Sequence, residues 1–272
     1  MVLAARLPLV LLHAGGAALG WAIYCASPGY RRRLRANLAQ AGYRDARTRR
    51  EAIASAGRML AELPAVWWRP QPEVVGLIRS IEGPRRAIAA LRSGGGLFIT
   101  PHLGCFEITA QLVSHHAPIT VLYRPPKLAW LEPLMREGRS REKLHLAPAS
   151  MSGVRELFAA IKRGESVGLL PDQVPGRGEG EWADFFGRPA YTMTLAAKLA
   201  VRNPAIAFLI YARRLPRGRG YSVVLRELPE PLPGEPPTQR LNRALEGLVR
   251  ECPGQYLWSY NRYKVPAGAP PP

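Results

Sequence analysis

The order of elements along this chain predicts an α/β fold: a central mixed, mostly parallel sheet flanked by helices, with an N-terminal membrane-anchoring helix. Three observations carry that prediction. Short apolar, β-prone runs at residues 97–100, 119–123, 166–170, 206–211 and 221–225 alternate with segments of helical period. The first three of these runs end in a proline or a polar pair, at the strand edge where α/β sheets bind ligands. A mostly apolar stretch at residues 7–26 stands apart from this alternation and precedes a run of arginines.

Composition narrows the class. The chain has 272 residues, enough for one good core, and 47% of them are hydrophobic, which excludes a disordered chain. The net charge is +18, and 33 of the 38 basic residues are Arg. Such a charge points to an anionic partner: nucleic acid, an acidic membrane, a phosphorylated substrate or an acidic protein. An Arg-rich, Ala-rich composition also reflects genome base content. The three cysteines, Cys25, Cys105 and Cys252, are scattered and odd in number. They form neither a disulfide framework nor a zinc pattern, and they fit a reducing compartment. No cluster of metal ligands stands out.

The elements follow in order. Residues 7–26 are long enough to cross about 30 Å of hydrocarbon at 1.5 Å per residue, although Pro8, His13 and several glycines interrupt them. Arg31, Arg32, Arg33 and Arg35 follow the stretch and only Arg6 precedes it, which places the main body in the cytoplasm. The same arrangement disfavours a cleaved signal peptide; a helix lying in the interface stays open as an alternative. Residues 1–30 are thus read as the anchor, 31–265 as one catalytic-sized domain and 266–272 as a disordered tail. Residues 31–40 form a basic amphipathic segment. Thr48 caps a helix that runs to about 63 and stops before Pro64. Trp67-Trp68 beside Arg69 suit either a membrane interface or the core. A helix over 84–92 ends in Gly94-Gly95-Gly96, which is no P-loop, because the Lys-Ser/Thr is missing and a strand follows.

The stretch that organises the chain is Leu97 to Glu107. A strand over 97–100 stops at Pro101, His102 sits at its C-terminal end, and a helix begins near Glu107. A histidine titrates near neutrality and suits a general base, and a carboxylate on its other ring nitrogen fixes the tautomer. On one straight helix the two side chains lie ~140° apart, so pairing needs a bend, which Gly104 permits. The same residues also suit a half-exposed His and a Glu favoured by a helix N-terminus. Cys105 beside His102 reads as a small apolar residue on the packed side, with a thiol nucleophile as the alternative.

Beyond it, a strand over 119–123 ends in Arg124-Pro125-Pro126, and a helix over 128–138 ends in a cluster of Arg136, Arg139 and Arg141. An Arg at such an edge can clamp phosphate or stabilise an oxyanion, or be mere surface. A helix over 152–162 leads to a strand over 166–170, followed by Pro171-Asp172-Gln173, again a polar pair at a strand end. Residues 174–187 read as a Gly-rich loop. Thr192 caps a helix over 193–202, two strands follow, and Thr238 caps a last helix to about 251.

At this level the chain resembles the bacterial lipid A late acyltransferases, within the wider lysophospholipid acyltransferase group. Five blocks occur in the family's order. They are Thr100-Pro101-His102-Leu103-Gly104-Cys105-Phe106-Glu107, Tyr123-Arg124-Pro125 with the Arg136–Arg141 stretch, Pro171-Asp172-Gln173, Phe185-Phe186-Gly187-Arg188-Pro189-Ala190 with Thr192, and Gln239-Arg240-Leu241-Asn242 with Pro253, Tyr256, Trp258, Arg262 and Lys264. The resemblance implies transfer of a fatty acyl group from acyl carrier protein, a co-substrate, to a hydroxyl of a lipid A precursor. It needs no cofactor, and it implies a bacterial inner-membrane location. It further implies His102 as base, Glu107 as its partner and Arg139 as oxyanion donor, helped by backbone N–H groups near Gly104. Arg124 and Arg188 would take substrate phosphates or the carrier's phosphopantetheine, and Asp172 and Gln173 belong to the substrate site. Partners on this reading are acyl carrier protein, anionic membrane lipids and a phosphorylated glycolipid acceptor. Another lipid acceptor (a lysophospholipid, aminolipid or glycolipid) is the alternative. A nucleic-acid binder is disfavoured, because the aromatics are not interleaved with the basic residues.

Overall fold

A computed structural model describes residues 2–126, 128–176 and 178–271; Pro272, the end of the sequence-predicted tail, lies outside them. Four helices open the chain: α1 (Val2–Ala5), α2 (Leu9–Ala26), α3 (Pro28–Gln40) and α4 (Ala46–Ala61). Then come α5 (Leu63–Trp68), α6 (Gln71–Val75), β1 (Ile78–Glu82), α7 (Arg85–Ser93), β2 (Leu97–Ile99), α8 (Phe106–His116) and β3 (Ile119–Tyr123). The middle holds α9 (Leu131–Arg139), β4 (Leu144–Pro148), α10 (Met151–Lys162), β5 (Ser166–Leu169), β6 (Gly180–Phe185) and β7 (Arg188–Met193). The end is α11 (Thr194–Arg202), β8 (Ala207–Arg214), β9 (Tyr221–Glu227) and α12 (Pro237–Glu251).

Seven strands make one sheet in the order β1-β9-β8-β2-β5-β3-β4, parallel throughout except where β8 meets β9. The mixed, mostly parallel sheet flanked by helices is therefore as the sequence predicts. Side chains alternate between two cores, as the strand period of two requires. Leu97, Ile99, Val167, Leu169, Leu209 and Tyr211 face α11 and α12, while Phe98, Phe208, Ile210 and Ala212 face α8. On that second face β5 places Ser166 and Gly168, and Gly168 lines a cavity between the sheet and α8, where a Cβ would meet the Val121 side chain at 3.1 Å.

Several boundaries differ from the sequence reading. Asp45, not Thr48, caps α4: its side chain accepts the Thr48 N–H at 2.8 Å. Pro64 sits in the first turn of α5, where its missing N–H costs nothing, so it starts a helix instead of only ending one. Trp67 is buried. The helix expected over 128–138 begins at Leu131. The stretch read as a Gly-rich loop contains β6, paired antiparallel with β7 across Phe186-Gly187. Both turn residues have positive φ (50° and 69°), the geometry of a tight hairpin. Thr192 therefore lies in β7, not at a helix cap.

The apolar N-terminal helix α2 is a candidate membrane anchor, and it is seated on the domain along one face. Leu9, Leu12, His13, Gly16 and Gly20 are buried, while Val10, Leu11, Leu19 and Trp21 remain exposed. Two of the glycines that interrupt the span, Gly16 and Gly20, have a packing reason. A Cβ on Gly57 of α4 would lie 1.9 Å from the Gly16 carbonyl, so the two backbones touch only because glycine stands there.

Candidate active site

Strands β2 and β5 are parallel neighbours in the register Ile99 to Leu169, and each continues with Thr-Pro or Leu-Pro into a polar residue. His102 and Asp172 are each three residues beyond that matched pair, so the register alone brings them together. The His102 backbone N–H donates to Asp172 Oδ2 at 2.9 Å, and the ring Nδ1 lies 2.7 Å from Asp172 Oδ1. The Asp172 side chain is 3% exposed and that of His102 is 16% exposed. Burial opposes ionisation of Asp172, but the His102 ring and its backbone N–H outweigh it and hold the carboxyl below its ordinary range. With the carboxylate accepting at Nδ1, that nitrogen carries the proton and Nε2 is left basic. Nε2 meets the amide nitrogen of Gln173 at 3.1 Å.

The turn that carries His102 is clamped by distant segments. Its carbonyl accepts the Leu257 N–H at 3.1 Å, and the Gly104 N–H donates to the Gln255 carbonyl at 3.0 Å. The Cys105 N–H donates to the Ala212 carbonyl at 2.8 Å. Gly104 has φ +61°, and a Cβ there would sit 1.9 Å from the Ala212 carbonyl oxygen, so only glycine fits. The backbone N–H groups of Gly104 and Cys105 are thus committed within the fold.

Glu107 is a correction to the sequence reading. It lies in the first turn of α8 and turns away from His102, because the Gly104 bend directs it toward α9 and α5. Its carboxylate takes Arg139 in a two-pronged pair, through Nε at 3.0 Å and through Nη2, and accepts the Trp67 indole N–H at 3.1 Å. Arg139 also stacks over the Trp67 ring at 5.3 Å. Burial works against its charge, but Glu107 more than offsets that and raises its pKa. The carboxylate on His102 is Asp172, which the sequence reading had placed among the substrate contacts. Trp67, which the sequence offers only as interface or core, joins this site through Glu107.

His102, Glu107, Arg139, Arg124 and Gln173 all line one cavity of about 260 Å³. Its walls are apolar: Phe98, Phe106, Val113, Ile119, Val121 and Ile210 among them. Arg124, at the end of β3, reaches across the mouth to the Val174 carbonyl at 3.4 Å. Arg188 is not brought here. It is exposed at the start of β7 and lies over the Tyr263 ring at 4.6 Å. Cys105 points the other way, into the core, and burial pushes its thiol well above the ordinary value. The arrangement is a histidine lining an apolar pocket, with one amide and one paired guanidinium beside it. Such an arrangement can take a proton from a hydroxyl beside an apolar chain.

Comparison with known proteins agrees in class. The family model described as "Bacterial lipid A biosynthesis acyltransferase" matches residues 1–265. The lipid A biosynthesis lauroyltransferase of Escherichia coli (strain K12) is 27% identical over 232 residues, covering 79% of this chain and 72% of that protein. The lipid A biosynthesis palmitoleoyltransferase of the same organism is 26% identical over 222 residues, covering 79% and 71%. A lipid A biosynthesis acyltransferase of Haemophilus influenzae (strain ATCC 51907 / DSM 11121 / KW20 / Rd) is 26% identical over 169 residues, covering 60% and 51%.

Proposed function

This chain belongs to the bacterial lipid A biosynthesis acyltransferase family, and from that premise we propose that it moves a fatty acyl group from acyl carrier protein to a hydroxyl of a phosphorylated lipid A precursor. The observation that carries the chemistry is His102, fixed by Asp172 at Nδ1 and basic at Nε2, at the mouth of an apolar cavity. The acceptor hydroxyl takes the place of the Gln173 amide at Nε2 and gives its proton to that nitrogen. The acceptor oxygen attacks the thioester carbonyl, and a tetrahedral intermediate forms. Its collapse breaks the carbon–sulfur bond, and the imidazolium returns the proton to the departing thiolate. General-base help of this kind contributes roughly 10²–10⁴-fold.

Gln173 supplies the oxyanion donor on this reading, because its amide lies at the reacting nitrogen. Arg139 has two nitrogens committed to Glu107 and orients the acyl donor or acceptor from the side. No acyl-enzyme is needed, since the one nearby thiol is buried and protonated. The acyl chain lies along Phe98, Val113 and Ile210. Arg124, at the mouth, faces the phosphates of the acceptor or of the carrier's prosthetic arm. The apolar outer face of α2 and the exposed Arg32, Arg33 and Arg35 just after it support attachment to the cytoplasmic side of the inner membrane.

The test is transfer by isolated membranes supplied with labelled acyl carrier protein thioesters. A phosphorylated lipid A precursor goes in one tube and a lysophospholipid in another. Label on the lipid A precursor, lost in His102→Ala, is the expected result. Label confined to the lysophospholipid would keep the base and replace the acceptor. Full activity in a folded His102→Ala protein would overturn the mechanism.

A further inference from the structure

A buried charge cluster beneath α2 takes no part in the chemistry above, yet it touches the active-site turn. Arg214, at the end of β8, donates to the two Glu62 oxygens at 2.9 and 2.6 Å and to the Ser55 hydroxyl at 2.8 Å. Its Nη2 also donates to the Gly104 carbonyl at 2.7 Å, two residues past His102. Glu62 accepts the Tyr221 hydroxyl at 3.0 Å and lies 3.3 Å from His13 Nε2, on the face of α2 that packs against α4. Burial opposes ionisation of Glu62, but Arg214 and His13 outweigh it and hold the carboxyl down to about 2. The cluster is therefore charged. A buried ion pair returns in attraction little more than it costs in desolvation, so fold stability alone gives no reason for it. A guanidinium, however, reaches a carboxylate and a carbonyl at once, which no other side chain does in this geometry.

We propose that Arg214 is a positioning residue for His102, and that the His13–Glu62–Arg214 chain makes the anchor helix part of the active-site scaffold and not only a tether. The proposal rests on the acyl-transfer reading for its kinetic assay.

The test pairs Glu62→Leu with Arg214→Met, which removes both charges together and keeps the space filled. Thermal midpoint, circular dichroism and membrane recovery should match wild type. In detergent, KM for the acyl donor should hold while kcat falls about 10²-fold, the loss that a 1 Å misplacement brings. Arg214→Lys keeps the charge but cannot span Glu62 and Gly104 together, so it should fail to restore kcat. His13→Ala should lower kcat while leaving the protein in the membrane fraction. Wild-type kcat in the folded double variant would overturn the proposal. A second readout does not depend on turnover: the His102 ring ¹⁵N resonances report the hydrogen bond to Asp172. They should shift in the double variant and in Arg214→Lys; unchanged resonances refute the positioning role even if the acyl-transfer reading has failed.

Discussion

Asp172→Asn separates the two carboxylates that the sequence offers as partners for His102. The backbone N–H of His102 can only donate, and it faces one side-chain oxygen of Asp172 at 2.9 Å. An asparagine must therefore keep its oxygen there and turn its NH₂ toward Nδ1. The ring then accepts at Nδ1 and carries its proton on Nε2, the atom that has to take the substrate proton. The reverse rotamer sets two donors against each other, at a cost of about 1–3 kcal/mol for an unmet buried group. That cost makes the unproductive tautomer dominant by roughly 10- to 100-fold, at 1.4 kcal/mol per decade. The developing imidazolium also loses a full charge: about 4 kcal/mol at 4 Å with an effective dielectric of 20, taken as an upper figure. Together the terms give a fall in kcat of about 10³–10⁴, in line with about 10⁴ for the same change in a Ser-His-Asp triad. The assay is single-turnover transfer from labelled thioester, with Glu107→Gln run beside it. Glu107→Gln should lose less, through looser seating of Arg139. An active Asp172→Asn beside a dead, folded Glu107→Gln would refute the assignment and return Glu107 to the histidine.

Two further outcomes follow from burial. Iodoacetamide should label exposed Cys25 and leave Cys105 unmodified in the native protein, and Cys105→Ala should keep near-wild-type transfer; peptide mapping and the transfer assay check both, and a dead but folded variant would revive thiol chemistry. Because the folded Glu62 carboxyl sits at about 2, below its unfolded value near 4.3, it stabilises the protein fully above about pH 4.5 and loses that contribution as the pH falls toward 2. Urea midpoints at pH 7 and pH 3 should converge in Glu62→Leu/Arg214→Met relative to wild type.

The sheet was legible in the sequence because β2, β3 and β5 are continuous apolar runs that stop at or just before a proline. His102 and the pair Asp172-Gln173 were both recognisable as polar residues at strand ends. What could not be read was that these two strands are neighbours. Glu107 lies five residues from His102 and Asp172 lies seventy, so local spacing favoured the wrong partner. A signal was present all the same: Thr100-Pro101-His102 and Leu170-Pro171-Asp172 repeat one strand-end pattern. The hairpin of β6 and β7 was missed for another reason. Its Gly- and Pro-rich approach hides the period of two, and its tight turn places a Phe at positive φ. The edge strands β1 and β4 are short and partly exposed, so neither shows a buried run. Glycines in α2 look like flaws in a membrane span, whereas Gly16 and Gly20 bring its backbone against α4.

The arginine excess divides into two populations, and only one of them speaks to a partner. Some arginines are internal fasteners. Arg69 donates to the Ala5 and Leu7 carbonyls, both at 2.6 Å, and Arg141 collects the carbonyls of Val66, Trp67 and Arg69. Arg262, buried, ties the Tyr191 carbonyl to the Thr192 hydroxyl and Asn242. These groups satisfy helix ends and strand edges, and no ligand charge is needed to account for them. Arg32, Arg33 and Arg35 are different. They stand exposed on α3, just past the apolar helix, while Leu34 and Leu38 of the same helix are buried. At about 1 kcal/mol per basic residue at an anionic surface, replacing all three with Gln should weaken binding to vesicles rich in acidic lipid by roughly 100-fold. Neutral vesicles should bind both proteins alike, through α2. Equal binding of the two proteins to acidic vesicles would mean that α2 alone carries attachment and that the arginines of α3 serve something other than the membrane.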